Sequence, residues 1–231
     1  MPVETLFLDA GGVLVHPNWW RVSAALAAEG IPVTAEHLAL ADPRARKALD
    51  QPQHVAATDD RSRARGYLEL VLQEAGVPPS PRAAAALATL RVYHERQNLW
   101  EHVPGDVVPM LERLRGRGRR LVVVSNSNGT LCTHFERLGL ARCVDHMLDS
   151  HEHGVEKPDP RFFQLALARA GAEPGTTLHV GDLYHVDVAG ARAAGLRAVL
   201  FDAAGLYPEA DCPRVSSLSE LADALDAGTW G

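Results

Sequence analysis

The stretch TLFLDAGGVLV, residues 5–15, is a short apolar run that delivers one carboxylate, Asp9, and then breaks into Ala10-Gly11-Gly12. Thr, Leu and Phe in an unbroken run suit a strand buried on both faces. An acid at the end of such a strand needs a reason to be there. Two glycines behind it leave backbone N–H groups open to close approach by an anion, where side chains would stand in the way. The chain beyond this stretch is equally informative. From residue 16 to about 100 no convincing strand occurs, only helical segments such as Tyr67–Ala75, where Leu68, Val71, Leu72 and Ala75 share a face. Pro104-Gly105 marks the return from this insertion.

Further β-forming apolar runs stand at Leu121–Ser125, Val144–Leu148, Thr177–Val180 and Ala198–Phe201. Helical patterns separate them. Val107, Met110, Leu111 and Leu114 repeat with amphipathic spacing behind Asp106, an N-cap residue type. Asp159-Pro160 ahead of RFFQLALARAG supplies an N-cap, a first-turn proline and a closing glycine. Alternating strands and helices predict an α/β fold with a doubly wound parallel sheet. The predicted division is a core of residues 1–15 and 101–231 with a helical cap of residues 16–100. A lid at that point makes sense, because open α/β sheets bind ligands beyond the carboxyl ends of their strands.

Composition narrows the function. The net charge of −6 over 231 residues argues against nucleic acid as a partner. The one basic cluster, Arg113–Arg120, is punctuated by glycine and reads as a solvated turn. No apolar run reaches the length of a membrane span, and the N-terminus lacks the basic start of a signal peptide. Cys132, Cys143 and Cys212 are scattered and odd in number, which suits packing thiols in a reduced, cytoplasmic compartment. The expectation is a monomer or homodimer. Twenty-one arginines stand against two lysines, Lys47 and Lys157, so each lysine hints at a need for a compact point charge.

Polar residues gather at the expected strand ends. The first strand ends in Asp9, the second in Ser125 and Asn126, and the LHVGDLYHVD strand in Gly181-Asp182, with Asp187 five residues on. Lys157 sits in the GVEKPDP loop just before a helix. Each alone is an ordinary turn residue. Together they suit one chemistry. Asp9 and Asp182 offer hard oxygen ligands for Mg²⁺, Ser125 and Asn126 offer donors to phosphate oxygens, and Lys157 offsets the dianion. A carboxylate so placed is a nucleophile for phosphorus.

The set DAGGVL, VVVSN, EKPDPRFF and VGDLYHVDVAGARAAG resembles, in order, the four motifs of the haloacid dehalogenase-like hydrolase superfamily. The resemblance covers roughly residues 1–15 and 101–205, and the fourth stretch is its most distinctive part. It implies a Rossmann-like core, with the insertion after the first motif corresponding to a helical type-one cap. It also implies a Mg²⁺-dependent phosphatase of a small phosphorylated metabolite, working through an aspartyl-phosphate. By resemblance, Asp9 is nucleophile and metal ligand, the Gly11 carbonyl is a further ligand, and Asp182 binds the metal directly. Asp187 partners the metal's hydration or Lys157. Ser125 and Lys157 bind phosphate and balance its charge, beside the Gly11-Gly12 backbone and Asn126.

One departure stands out. Phosphatases of this family usually carry a second Asp two residues after the nucleophile, as general acid and base, and here Gly11 occupies that place. Losing general acid–base catalysis forfeits about 10²–10⁴ in rate, which leaves much of a phosphatase's acceleration intact. His16 and His185 are candidate replacements. The same gap suits a 2-haloacid dehalogenase, in which Asp attacks carbon, although those relatives lack a Mg²⁺ site. It also suits a phosphonate-cleaving enzyme with a Schiff-base lysine in the cap, for which Lys47 is the candidate, or a non-catalytic phosphate-binding relative. His151 and His153 have H-x-H spacing but no third ligand nearby, while Glu152 and Gly154 fit the third motif. Trp19 and Trp20 either gate the site or anchor a cap helix, and Tyr184 is placed to shape the pocket mouth.

Overall fold

A computed structural model describes residues 1–230, with side chains at all of them but 60, 61 and 65. It divides into two compact units, one formed by Met1–His16 with Val103–Gly231 and the other by Pro17–His102.

The first unit is built on a six-stranded sheet of β1 (Thr5–Leu8), β2 (Arg120–Ser125), β3 (His146–Asp149), β4 (Thr177–Gly181), β5 (Arg197–Phe201) and β6 (Arg214–Val215). The order is β3-β2-β1-β4-β5-β6 and every pairing is parallel. β1 lies between β2 and β4, with Leu8 in register with both Val123 and Val180. The direction of winding therefore reverses beside β1, and the carboxyl ends of β1, β2 and β4 surround the crevice that this reversal opens. Burial on both faces explains the unbroken apolar runs: Leu6, Phe7, Leu8 and Val122 to Val124 have no exposed surface.

The helices α6 (Val107–Gly116), α7 (Leu131–Arg137), α8 (Ser150–His153), α9 (Pro160–Ala170), α10 (Ala189–Ala193) and α11 (Leu218–Asp226) cover the sheet. Phe162, Phe163 and Ala166 of α9 and Ala191 of α10 pack with Phe7, Val122 and Val124. The start of α9 follows its sequence signals: Asp159 caps through Arg161 N–H, Pro160 occupies the first turn, and Gly171 closes it at φ +57°.

Two local expectations need correction, and one strand is not foreseen. Asp106 stands at the start of α6 but makes no side-chain capping bond. β6 has only two residues, too few to show a pattern in sequence. The Arg113–Arg120 cluster is not a merely solvated turn: Arg113, Arg117 and Arg119 all pair with Asp226 at the end of α11, and Arg115 pairs with Asp145.

The second unit contains α1 (Trp19–Ala28), α2 (Ala35–Leu49), α3 (Pro52–Ala57), α4 (Asp60–Glu74) and α5 (Pro81–Gln97). It has its own apolar core, in which Val22, Leu26, Leu38, Val71, Leu87 and Leu90 are buried. Val71, Leu72 and Ala75 are buried there and Leu68 packs against them. No helix among the described residues is long and apolar enough to cross a membrane, and all three cysteines are free thiols.

Candidate active site

Three strand ends supply the polar groups. Asp9 leaves β1 with its N–H still bonded to Val180 O at 2.9 Å. The chain behind it folds tightly, Leu14 N–H bonding Ala10 O and Gly12 N–H bonding Val15 O, each at 2.9 Å. Gly12 sits at φ +78°, a conformation that favours glycine.

At the end of β2, Ser125 is buried and its hydroxyl lies 3.3 Å from Asn126 O. The Asn126 amide clasps the backbone of Lys157: Lys157 N–H donates to Oδ1 at 2.8 Å and Nδ2 donates to Lys157 O at 2.9 Å. Asn126, expected as a phosphate donor, thus also holds the backbone of the lysine in place. β4 ends in Gly181-Asp182, and a single wide helical turn, Tyr184–Val188, then carries Asp187 back over the strand end. A Cβ at Gly181 would collide with Asp187 Cγ, so only glycine lets that carboxylate fold down there. A Cβ at Gly190 would lie 2.8 Å from Pro158 Cα, so the second motif glycine brings α10 against the lysine loop.

The result is a chain of charges. Lys157 Nζ donates to Asp9 Oδ1 at 2.6 Å and to Asp187 Oδ1 at 2.7 Å. The side chains of Lys157 and Asp187 are each 1% exposed, whereas Asp9 keeps 14%. Of the two carboxylates on the lysine, only Asp9 is open to another molecule. Asp9, Asp182 and Asp187 each place an oxygen so that all three lie within 4.8 Å of one another, the only such group of metal-binding side chains among the described residues.

Electrostatics separates the two carboxylates. Burial pushes Asp9 up from its ordinary value and the Asp187 charge adds to this, against the pull of the Lys157 ammonium. Burial acts on Asp187 too, but the Lys157 charge and a hydrogen bond from His179 outweigh it and hold this carboxyl well below the usual range. Lys157 is held above its normal value; burial opposes this, and the Asp187 and Asp9 charges overcome it. Three carboxylates grouped this closely offer hard oxygen donors of the kind that fit Mg²⁺.

Several residues escaped the sequence reading. Asp149, buried at the end of β3, accepts from Gly129 N–H, Leu131 N–H and His151 N–H at 2.9–3.2 Å. Ser150 Oγ accepts from Ser127 N–H at 3.1 Å. These two shape the loop that follows Ser125. His179, within β4, has no exposed surface and meets Asp187 Oδ1 through Nε2 at 3.0 Å. An acid at a strand end is a visible signal for Asp149; for His179 the only signal is a polar residue inside a buried strand.

Other singled-out residues fall elsewhere. Trp19 is buried in the helical core, while Trp20 is 61% exposed with its ring near His102. Lys47 is half-buried near the end of α2. His151 lies over Gly129 and His153 packs near the Phe162 ring, so the two do not form a metal pair. Tyr184 donates to Asp211 at 2.6 Å. His185 rests on the Tyr184 ring, and burial lowers its pKa. His16 is half-buried where the first unit ends.

The family model of the haloacid dehalogenase-like hydrolases matches residues 3–195. The chain belongs to that family. This haloacid dehalogenase-like hydrolase is 34% identical to haloacid dehalogenase-like hydrolase domain-containing protein 3 of Bos taurus, over 92% of this chain and 88% of the other. It is 36% identical to the phosphoserine phosphatase of Thermus thermophilus, over 82% and 76%. It is 38% identical to the ribulose-1,5-bisphosphate 5-phosphatase of Halopiger xanaduensis, over 59% and 56%. Among solved structures, the magnesium-bound HAD-hydrolase YfnB of Bacillus subtilis shares the fold, with a TM-score of 0.70 at 19% identity over 98% of this chain and 100% of that one. The 2-haloacid dehalogenase of Pseudomonas syringae pv. Tomato matches with a TM-score of 0.61 at 28% identity over 99% and 100%.

Proposed function

We propose that this hydrolase is a Mg²⁺-dependent phosphatase of a small phosphorylated metabolite. One observation carries the reading: the Lys157 ammonium bridges Asp9 and Asp187 while Asp182 completes a close group of three carboxylates. Asp9 and Asp182, with Asp187 beside them and the Gly11 carbonyl by family resemblance, are the groups that would hold the ion. When bound, Mg²⁺ neutralises charge on the phosphoryl oxygens.

Asp9 is assigned as nucleophile because it is the reachable carboxylate. A carboxylate oxygen of Asp9 forms a bond to phosphorus as the ester P–O bond breaks, giving an aspartyl-phosphate and the free alcohol. Water then attacks phosphorus, phosphate departs, and Asp9 is restored. Lys157 fixes the Asp9 carboxylate and offsets the dianion, and Ser125 and the Gly11-Gly12 backbone face the phosphoryl group. With Gly11 in place of an acid, the leaving oxygen takes its proton from His16, His185 or solvent. Aryl phosphates, whose leaving groups need no proton, are expected to turn over faster than alkyl phosphates. The helical unit is assigned the selection of substrate on connectivity alone, since the chain enters it directly behind the nucleophile loop. The phosphatase relatives favour phosphorylated amino acids and sugars as candidates.

Turnover of an aryl phosphate with Mg²⁺, beside an EDTA control and Asp9→Asn, is the test. The variant is expected to lose at least about 10⁴ in kcat, as the loss of a nucleophile does elsewhere. Metal-independent release of halide from a 2-haloacid, without phosphatase activity, would replace this reading with the dehalogenase one, which the Pseudomonas structure and Gly11 keep in view.

A further inference from the structure

The same site contains a buried group that the proposed reaction does not use. His179 faces the side of β4 where α9 lies, its ring edge-on to Phe163 with centroids 5.0 Å apart. It stands in register with Phe7 on β1 and Ala198 on β5, so its place in the sheet is one that an apolar side chain would fill at no polar cost. Its Nε2 lies 3.0 Å from Asp187 Oδ1, while its buried Nδ1 has no hydrogen-bond partner. A histidine kept only for packing gains nothing from one orphaned nitrogen. The bond from Nε2 must therefore be the reason for its presence.

That bond falls on the oxygen that matters. Asp187 Oδ1 receives both His179 Nε2 and Lys157 Nζ, while Oδ2 receives Leu183 N–H at 3.0 Å. Beneath the carboxylate, Gly181 leaves room for no more than a hydrogen. Leu183 and Gly181 set the height and tilt of the carboxylate, and His179, from the strand beneath, is the contact that holds Oδ1 from the side away from Asp9 while Lys157 links it to Asp9. The series then runs His179 Nε2, Asp187 Oδ1, Lys157 Nζ, Asp9 Oδ1, with successive gaps of 3.0, 2.7 and 2.6 Å.

We propose that His179 is a positioning residue: it anchors Asp187 so that Lys157 is presented to Asp9. The inference rests on the reading of Asp9 and Lys157 as reacting and charge-balancing groups, and it assigns His179 no contact with substrate.

Side-chain length makes the test specific. The Gln amide nitrogen reaches about as far as histidine Nε2, Asn reaches only as far as Nδ1, and Phe keeps the ring without a donor. His179→Phe and His179→Asn are expected to lower kcat for an aryl phosphate by about 10–100-fold with KM nearly unchanged, and His179→Gln to stay within about threefold of the parent. Thermal melting of each variant verifies the fold. A His179→Phe variant that melts like the parent and turns over at its rate would overturn the proposal, as would equal loss in folded Gln and Phe variants. A second readout needs no turnover. In a crystal structure of His179→Phe, Asp187 Oδ1 is expected to leave Lys157 Nζ, and an unchanged 2.7 Å contact refutes the role. If the parent hydrolyses no phosphate ester, the phosphatase reading fails, while this crystallographic comparison still decides the role of His179.

Discussion

The two units of this chain use buried charge in opposite ways. In the helical unit, Asp42 is buried with Tyr67 O–H donating to it at 2.6 Å and Arg46 forming an ion pair with it across 3.0 Å, so its charge is matched locally. At the ends of β1 and β4, three carboxylates gather with oxygens within 4.8 Å of one another, and the Lys157 ammonium bonds two of them while the Asp9 side chain stays 14% exposed. A closed cluster stabilises a fold. An open one waits for something to complete it, and perturbed carboxyl groups in such a place are the mark of a site.

The contrast can be broken most directly at Lys157. Lys157→Met strands two carboxylates and is expected to cost about 3–5 kcal/mol of stability in urea unfolding without metal, together with nearly all turnover. Mg²⁺ should restore part of the stability and none of the lysine's catalytic share. If the variant is as stable as its parent in EDTA, the charge balance around Lys157 has been misjudged. Gly181→Ala comes next: the new methyl collides with the Asp187 carboxylate, and overpacking of about 1–3 kcal/mol is expected with a clear fall in kcat.

Tyr67→Phe tests the other side. Removing one donor to Asp42 is expected to cost about 1 kcal/mol while leaving kcat within about twofold. A large kcat effect would mean that the helical cluster is part of the chemistry. The smallest effect concerns Glu101, whose carboxyl accepts from Tyr93, Asn18 and Arg21. Burial raises its pKa, but these bonds outweigh it and the net shift is downward. A depressed folded pKa adds stability above the ordinary Glu range, which is lost as pH falls through and below it. Glu101→Gln should therefore flatten the fall in Tm between about pH 5 and pH 3, measured by calorimetry.

The same contrast explains what could be read in advance. A strand buried on both faces is mostly apolar along its length, so five of six strands stand out, and the acids at their ends stand out against them. Lys157 is visible through scarcity, as one of two lysines among many arginines. Asn126 looks like a ligand because a side-chain amide suits phosphate as well as it suits a peptide backbone; only coordinates show the clasp on Lys157. Arg113–Arg120 looks solvated because its partner, Asp226, lies on the last helix, far along the chain. In the helical unit, amphipathic spacing shows which faces are buried, but of the buried polar trio only Asp42 and Arg46 carry a spacing, four residues apart on α2, and Tyr67 joins them from α4. Their meeting depends on how α2 packs on α4, which periodicity does not encode.

The position of β1 has a consequence for how the chain is made. This four-residue strand emerges from the ribosome ahead of the helical unit, yet both its neighbours, β2 and β4, are synthesised only after that unit. The helical unit, rich in near-neighbour contacts, can settle while the nucleophile strand is still unpaired, and the sheet closes around β1 only late in synthesis. Asp9 thus acquires its lysine only after the helical unit has been made, so a nascent chain halted before that point carries the nucleophile without the means to use it.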